Sequence, residues 1–336
     1  MLGRTGVRVS SLCLGTVAFG RSGEPDHEKS VRIIHAALDA GINFVDTADM
    51  YSGGESETIV GAALRGRRDQ VVLATKASSP MGPDPNRQGS SRRWLMRACE
   101  DSLRRLDTDR IDVYQIHRPD PDTDLDETLG ALSDLIHQGK VLYAGSSTFP
   151  ASMISEAQCL AEQRGRERFV CEQPPYSMVV RDAEADVLPT CQQHGLGVMT
   201  WSPLGGGWLS GRWRAGTARI ESNRSSLRPE RFDLTLPANQ RKLAAVDRLA
   251  RLAEDNGLSL IHLAIAFVMS HPAVTSAIIG PRTMEHLESQ LGATGVRLPA
   301  DVLDRIDEIV PPGSNFGGPD AGWDPPSLLN PDERRR

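Results

Sequence analysis

A chain of 336 residues with 39% hydrophobic and 24% charged residues carries enough apolar mass for a large buried core, which sets intrinsic disorder aside. Its formal charge of -6, with no long Lys/Arg run inside the chain, excludes the basic footprint that nucleic-acid binding needs, and the terminal Arg334-Arg335-Arg336 is too short to alter that. Five cysteines, an odd number with no C-x-x-C pair, exclude a disulfide framework and a cysteine zinc site.

From the start of the chain, Met1-Leu2-Gly3-Arg4-Thr5-Gly6 lacks the apolar run of a secretory signal. The best apolar stretch, Leu258 to Met269, is only about a dozen residues long and is broken by His262, so a cytoplasmic protein with no membrane span is expected. The first predicted strand is Ser11 to Leu14. A helix over Glu28 to Ala40 follows, with Val31, Ile34 and Leu38 on one stripe and Gly41 as its stop. Strands are predicted next at Ile42 to Asp46 and Val71 to Lys76, then a helix at Trp94 to Leu106 and a strand at Ile111 to His117. The helix Asp126 to Gln138 aligns Leu129, Leu132, Leu135 and Ile136 and stops at Gly139. Strands at Val141 to Ser146 and Phe169 to Gln173 precede a helix at Ala183 to His194 that ends on Gly195. Strands at Gly197 to Ser202 and Ser276 to Gly280 and a helix at Met284 to Leu291 complete the series.

Eight such alternations with short connections predict an α/β fold, a (β/α)8 TIM barrel spanning 1-336 as a single domain, in preference to an open doubly wound sheet. Three segments exceed the repeat: Ser78 to Ser91, the long loop 212-237, and the Pro/Gly-rich tail 311-336. The first two follow strand ends, where barrel sites lie, and are expected to shape a pocket.

Asp46 ends the second predicted strand, Tyr51 follows five residues later, Lys76 ends the third strand and His117 the fourth. In a parallel barrel these positions share one rim. Their types suit acid catalysis on a carbonyl: an ordinary phenol, with a pKa of about 10, is too weak an acid near neutral pH, and an adjacent ammonium favours its phenolate. Lys76 can supply that charge, Asp46 can hold Lys76, and His117 can orient the carbonyl oxygen. The set calls for no metal.

The stretch Asn43-Phe44-Val45-Asp46-Thr47-Ala48-Asp49-Met50-Tyr51, with Ser52-Gly53-Gly54-Glu55-Ser56-Glu57 after it, then Ala74-Thr75-Lys76 and Tyr114-Gln115-Ile116-His117, resembles the Asp/Tyr/Lys/His tetrad of the aldo-keto reductases. The resemblance runs from Leu2 to about Val310. It implies a TIM barrel, NADPH as cofactor without a Rossmann domain, and hydride transfer to a small-molecule carbonyl substrate. Among family branches the chain looks closest to bacterial members acting on aryl or small aldehydes or on deoxysugar ketones.

The resemblance also implies the cofactor contacts. Gly15 and Thr16 after the first strand join Asp46 at the rim. Ser147, Thr148 and Gln173 match the carboxamide-binding positions, with Thr148 where Asn is commoner. Trp201 matches the aromatic that stacks on the nicotinamide, and Ser202, Pro203, Leu204, Gly206 and Arg212 match the pyrophosphate loop. Ile279, Gly280, Arg282 and Thr283 lead into the helix whose N-terminus suits an adenosine 2′-phosphate, with His286 and Gln290 toward the adenine. Phe19, Met50, Trp208 and Trp213 are the apolar groups expected to line the substrate pocket.

Other patterns are set aside. Asp120-x-Asp122-x-Asp124 opens like a calcium loop, but Leu125 and Ala131 stand at the positions needing Gly and Glu, so a polar loop leading into a helix is predicted. Asn223-Arg224-Ser225 matches a glycosylation triplet and reads as exposed loop. Two rival functions remain. One is an NADP(H)-binding regulatory subunit with slow turnover, a role found on this fold, and the other is a barrel aldolase using Lys76 as Schiff base, which the tyrosine and aspartate motifs disfavour.

Overall fold

The computed structural model describes residues 1-216, 228-317 and 320-334. Eight parallel strands close into a barrel in the order of the chain: β1 (Leu12–Gly15), β2 (Phe44–Asp46), β3 (Val72–Ala77), β4 (Ile111–Ile116), β5 (Val141–Ser147), β6 (Phe169–Gln173), β7 (Gly197–Thr200) and β8 (Val274–Ile279). This is the expected TIM barrel. Strand ends differ from the expected ones by one or two residues at most places; the last predicted strand shifts earlier, because Val274 pairs with Val198 and Gly280 leaves the ladder.

Around the barrel run α1 (His27–Asp39), α2 (Glu55–Leu64), α3 (Arg92–Leu106), α4 (Leu125–His137), α5 (Ala151–Arg164) and α6 (Val187–His194), then helices Pro237–Asp255, Leu260–Ser270, Met284–Leu291 and Ala300–Ile309. Local chemistry sets several starts: Asp26 accepts from the Lys29 amide, Ser91 from that of Trp94, and Asp124 from that of Asp126. The last of these makes the Asp120–Asp124 stretch a capping loop. The helix expected from Ala183 divides in two, a 3₁₀ turn at Asp182–Glu184 and then α6, since Asp186 leaves helical geometry at φ -145°.

The pleat sorts each strand into two faces. Outward residues such as Leu73, Tyr114 and Ile116 join the large core between barrel and helices. Inward residues Cys13, Phe44, Ala74, Val113, Cys171, Met199 and Ile278 fill the barrel, and Leu2, on the N-terminal turn, packs into the same cluster. Gly145 belongs to this interior for steric reasons: a Cβ there would lie 2.6 Å from Cys171 Sγ.

The tail does not trail away. The Ser314 carbonyl accepts from the Arg181 amide, Asn315 donates to Asp182, and buried Asp320 pairs with Arg231 and Lys242. The Asn223-Arg224-Ser225 triplet and residues 217-227 of the long loop lie outside the described residues. Four of the five cysteines are buried and Cys159 is exposed, and all are free thiols. No single helix among the described residues is long and apolar enough to cross a membrane.

Candidate active site

Near the middle of the barrel the inward residues are apolar, and two positions further along the same strands they become polar. Lys76 follows Ala74, Gln115 follows Val113 and Gln173 follows Cys171. The period of two therefore stacks a polar layer on an apolar one at the C-terminal ends of the strands, with Asp46 at the end of β2.

Lys76 is fully buried, at 0% exposure. Its ammonium donates to Asp46 Oδ2 at 2.6 Å, to the Thr47 carbonyl oxygen at 2.8 Å and to the Tyr51 hydroxyl at 3.3 Å. Burial by itself pulls an ammonium's pKa down, but Asp46 and Tyr51 outweigh it, so the Lys76 pKa is raised and the group stays charged. An uncompensated buried charge would cost several kcal/mol. Asp46 is held in turn: Oδ1 accepts from Gln173 Nε2 at 2.9 Å and from Gln115 Nε2 at 3.3 Å.

Tyr51 is placed by a tight turn after β2. Ser52 and Gly53 take left-handed backbone at φ 51° and 69°, and the Ser52 hydroxyl donates to the Phe19 carbonyl at 3.0 Å. The His117 ring meets the Tyr51 ring edge-on, with centroids 5.8 Å apart, and its Nδ1 lies 3.3 Å from Ser79 Oγ. Burial, then Lys76 and Arg118, hold the His117 pKa well below the usual imidazole value, so the ring is neutral near pH 7. The structure thus brings Asp46, Tyr51, Lys76 and His117 together at one mouth.

Beside them, Ser147 donates to the Gln173 carbonyl at 3.0 Å and the Thr148 amide to the same oxygen at 3.1 Å. Thr148 sits at φ 61°, a conformation that asparagine tolerates better than a β-branched residue. Glu172 supports this turn from behind: its carboxylate accepts from Ser146 Oγ at 2.5 Å and from the Phe149 amide at 3.1 Å. Burial pushes the Glu172 pKa up to about 7 against those donors.

Trp201 follows β7, and Ser202 after it is left-handed at φ 58°, opening the Gly205–Gly207 turn. After burial, the charges of Arg282 and then Arg212 lower the His286 pKa. Neither guanidinium has a carboxylate within 4.0 Å among the described residues. Thr283 caps the following helix by accepting from the His286 amide at 3.3 Å, and Gln290 donates to the His286 carbonyl. Pro203 and Ile279 are buried, Gly280 is exposed, and Gly15 packs too close to Ile278 for any side chain. Thr16 bonds to the Asp46 carbonyl through both its amide and its hydroxyl.

The four expected pocket-wall residues separate. Met50 is 42% exposed beside Tyr51, whereas Phe19, Trp208 and Trp213 lie inside the core. The two indoles stack at 4.3 Å and also on Phe232, with the Lys242 ammonium 5.4 Å from the Trp208 ring centre. This mutual stacking packs the loop against Phe232. Three further residues of the mouth, Gln115, Arg118 and Glu172, carry no motif of their own: Arg118 and Glu172 adjoin His117 and Gln173, and the two-residue offset of Gln115 from Val113 is the signal that places it inward.

The chain matches the model of the "Aldo/keto reductase family" over residues 11–311. It is 39% identical over 322 residues to "Uncharacterized oxidoreductase YrpG" of Bacillus subtilis (strain 168), covering 92% of this chain and 95% of that protein. It is 35% identical over 323 residues to "Probable voltage-gated potassium channel subunit beta" of Arabidopsis thaliana, covering 92% and 95%. It is 32% identical over 319 residues to "Norsolorinic acid reductase" of Aspergillus flavus, covering 91% and 79%.

Proposed function

The chain belongs to the aldo/keto reductase family, and on that premise we propose that it is an NADPH-dependent reductase of aryl or small aldehydes or deoxysugar ketones, with Tyr51 as general acid. As a family member it is an oxidoreductase acting on carbonyl compounds. The observation that carries the finer reading is the Lys76 ammonium, held charged by Asp46 and 3.3 Å from the Tyr51 hydroxyl.

When bound, the nicotinamide supplies the hydride to the carbonyl carbon. Tyr51 gives its proton to the carbonyl oxygen as charge develops there, and Lys76 stabilises the phenolate that remains. Neutral His117 orients the oxygen by hydrogen bonding, and Asp46 keeps Lys76 charged and in place. Ser147, Thr148 and Gln173 would hold the carboxamide, Trp201 the ring face, and Ser202 to Arg212 the pyrophosphate. Arg282 with the start of helix Met284–Leu291 would take the 2′-phosphate, with His286 and Gln290 near the adenine. The cationic pair Arg212 and Arg282, lacking carboxylate partners among the described residues, fits a phosphate-bearing cofactor.

Titration with NADPH and NADH, with turnover of a carbonyl panel followed by cofactor absorbance, tests this. Tighter NADPH binding, and turnover lost in Tyr51→Phe while NADPH still binds, are the expected results. A second reading, an NADP(H)-binding regulatory subunit with slow turnover, draws on the potassium-channel β-subunit relative. Tight NADPH binding with negligible turnover across the panel would favour it.

A further inference from the structure

We propose that Arg118 recognises a carboxylate on the substrate, so that this chain prefers carbonyl compounds bearing an anionic group within reach of the reacting carbon; the inference rests on the reductase reading above.

Arg118 directly follows His117 at the mouth of the barrel and lies near enough to Tyr51 to interact with it electrostatically. The three hydrogen bonds of its guanidinium all run to neutral acceptors: Nη1 donates to the His117 carbonyl at 2.5 Å and to Ser147 Oγ at 3.5 Å, and Nε to the Gly322 carbonyl at 3.2 Å. The guanidinium carbon stands 5.7 Å from the Trp201 ring centre. Nη2 has no hydrogen-bond partner among the described residues, and no carboxylate there comes within 4.0 Å of the group.

Arg212 and Arg282 share that lack of a carboxylate among the described residues, but the most deeply buried cations do not. The buried cations Lys76, Lys242 and Arg181 each contact a carboxylate, from Asp46, Asp320 and Glu184 with Asp307 respectively. The carboxylate that acts electrostatically on Arg118, Glu172, has its oxygens occupied by Ser146 and the Phe149 amide. Desolvation pulls the Arg118 pKa down, and the charge of exposed Arg228 lowers it further. Lys76 pairs with Asp46 and His117 is neutral, so the Arg118 charge beside the acid is opposed by Glu172, which makes no contact within 4.0 Å of it and whose pKa burial lifts to about 7.

A tether for the tail needs only a neutral donor, since every acceptor it reaches is neutral. A desolvated guanidinium with an open N–H is what a carboxylate would be recognised by, through charge-assisted hydrogen bonds stronger than neutral ones. The anion would satisfy Nη2 and offset the burial of the charge.

The test uses the full chain with NADPH and pairs of aldehydes that differ in charge. These are 4-formylbenzoate against 4-formylbenzamide, and succinic semialdehyde against butanal. The wild-type protein is expected to favour the anionic member of at least one pair by about tenfold or more in kcat/KM. In Arg118→Met that ratio is expected to fall toward one, and in Arg118→Lys to take an intermediate value. The ratio is read rather than the rate, because loss of the bonds to His117 and Ser147 can slow both members together. A wild-type ratio of one in both pairs overturns the proposal, as does a preference that survives unchanged in Arg118→Met. Reduction of the neutral aldehydes without any charge preference sinks this inference alone, whereas no reduction of any aldehyde sinks the reductase reading and the inference with it.

Discussion

The side-chain amide of Gln173 donates to Asp46 Oδ1 at 2.9 Å, joining β6 to β2 across the barrel interior and touching the same carboxylate whose other oxygen holds Lys76. A residue proposed to hold the cofactor's carboxamide thus also supports the carboxylate that pairs with Lys76. Replacing it with leucine removes a donor to a charged acceptor, an interaction worth about 1.5 to 3 kcal/mol. Gln173→Leu is expected to lower the urea unfolding midpoint accordingly and to weaken NADPH binding. An unfolding midpoint equal to wild type would show that Gln115 alone satisfies Asp46.

Lys76→Met should lower turnover by at least about a hundredfold, the lower end of what acid–base groups contribute. Removing a cation beside a phenol destabilises the phenolate, so the alkaline limb of the residual pH profile should move to higher pH. The variant also strands Asp46 as a buried charge, at a cost of about 3 to 5 kcal/mol. Adding Asp46→Asn should restore much of that stability without restoring turnover. A double variant as unstable as the single would place the energetic role of Lys76 elsewhere.

Asp49 lies behind the site with no hydrogen-bond partner for either carboxylate oxygen, and burial, then the charge of Glu57, push its pKa up to about 8 against the pull of Arg105 and Lys76. In the unfolded chain the group ionises near 4, as an ordinary aspartate of about 3.9 does. Between those values the folded state holds a proton that the unfolded state has lost, so stability is lost as pH rises through the window. Asp49→Asn removes that dependence, and its advantage in urea midpoint over wild type should grow from pH 5 to pH 8. A constant difference across that range contradicts the assignment.

His117 gives a slope of the opposite sense. Its folded pKa is well below 6.5, so on acidification the unfolded chain binds a proton that the folded chain refuses. Stability should therefore fall as pH drops below about 6.5, the ordinary imidazole value, and His117→Gln should flatten that loss. Urea midpoints between pH 5 and pH 7 measure it, and an identical acid slope in the variant would assign the effect to other groups.

The alternation of apolar runs and helical stripes was enough to read the barrel, because each strand's period of two and each stop such as Gly41 or Gly139 is written within a dozen neighbouring residues or so. Parallel closure then forces all strand ends onto one rim, which is why Asp46, Tyr51, Lys76 and His117 could be grouped from their positions alone. Partnerships between distant segments were not legible. Arg118 and the Gly322 carbonyl are 204 residues apart, and Gln173 and Asp46 are 127 apart.

The same limit applies to Trp208 and Trp213, whose packing against Phe232 and Lys242 no local pattern shows. It also explains the tail, read as irregular from its Pro and Gly content yet fastened by Asp320 to Arg231 and Lys242. Local pattern fixes which face of an element a side chain occupies, because backbone geometry repeats every two or 3.6 residues. Which partner that side chain meets is decided only when the closed barrel brings remote loops over one mouth, and no short-range periodicity carries that information.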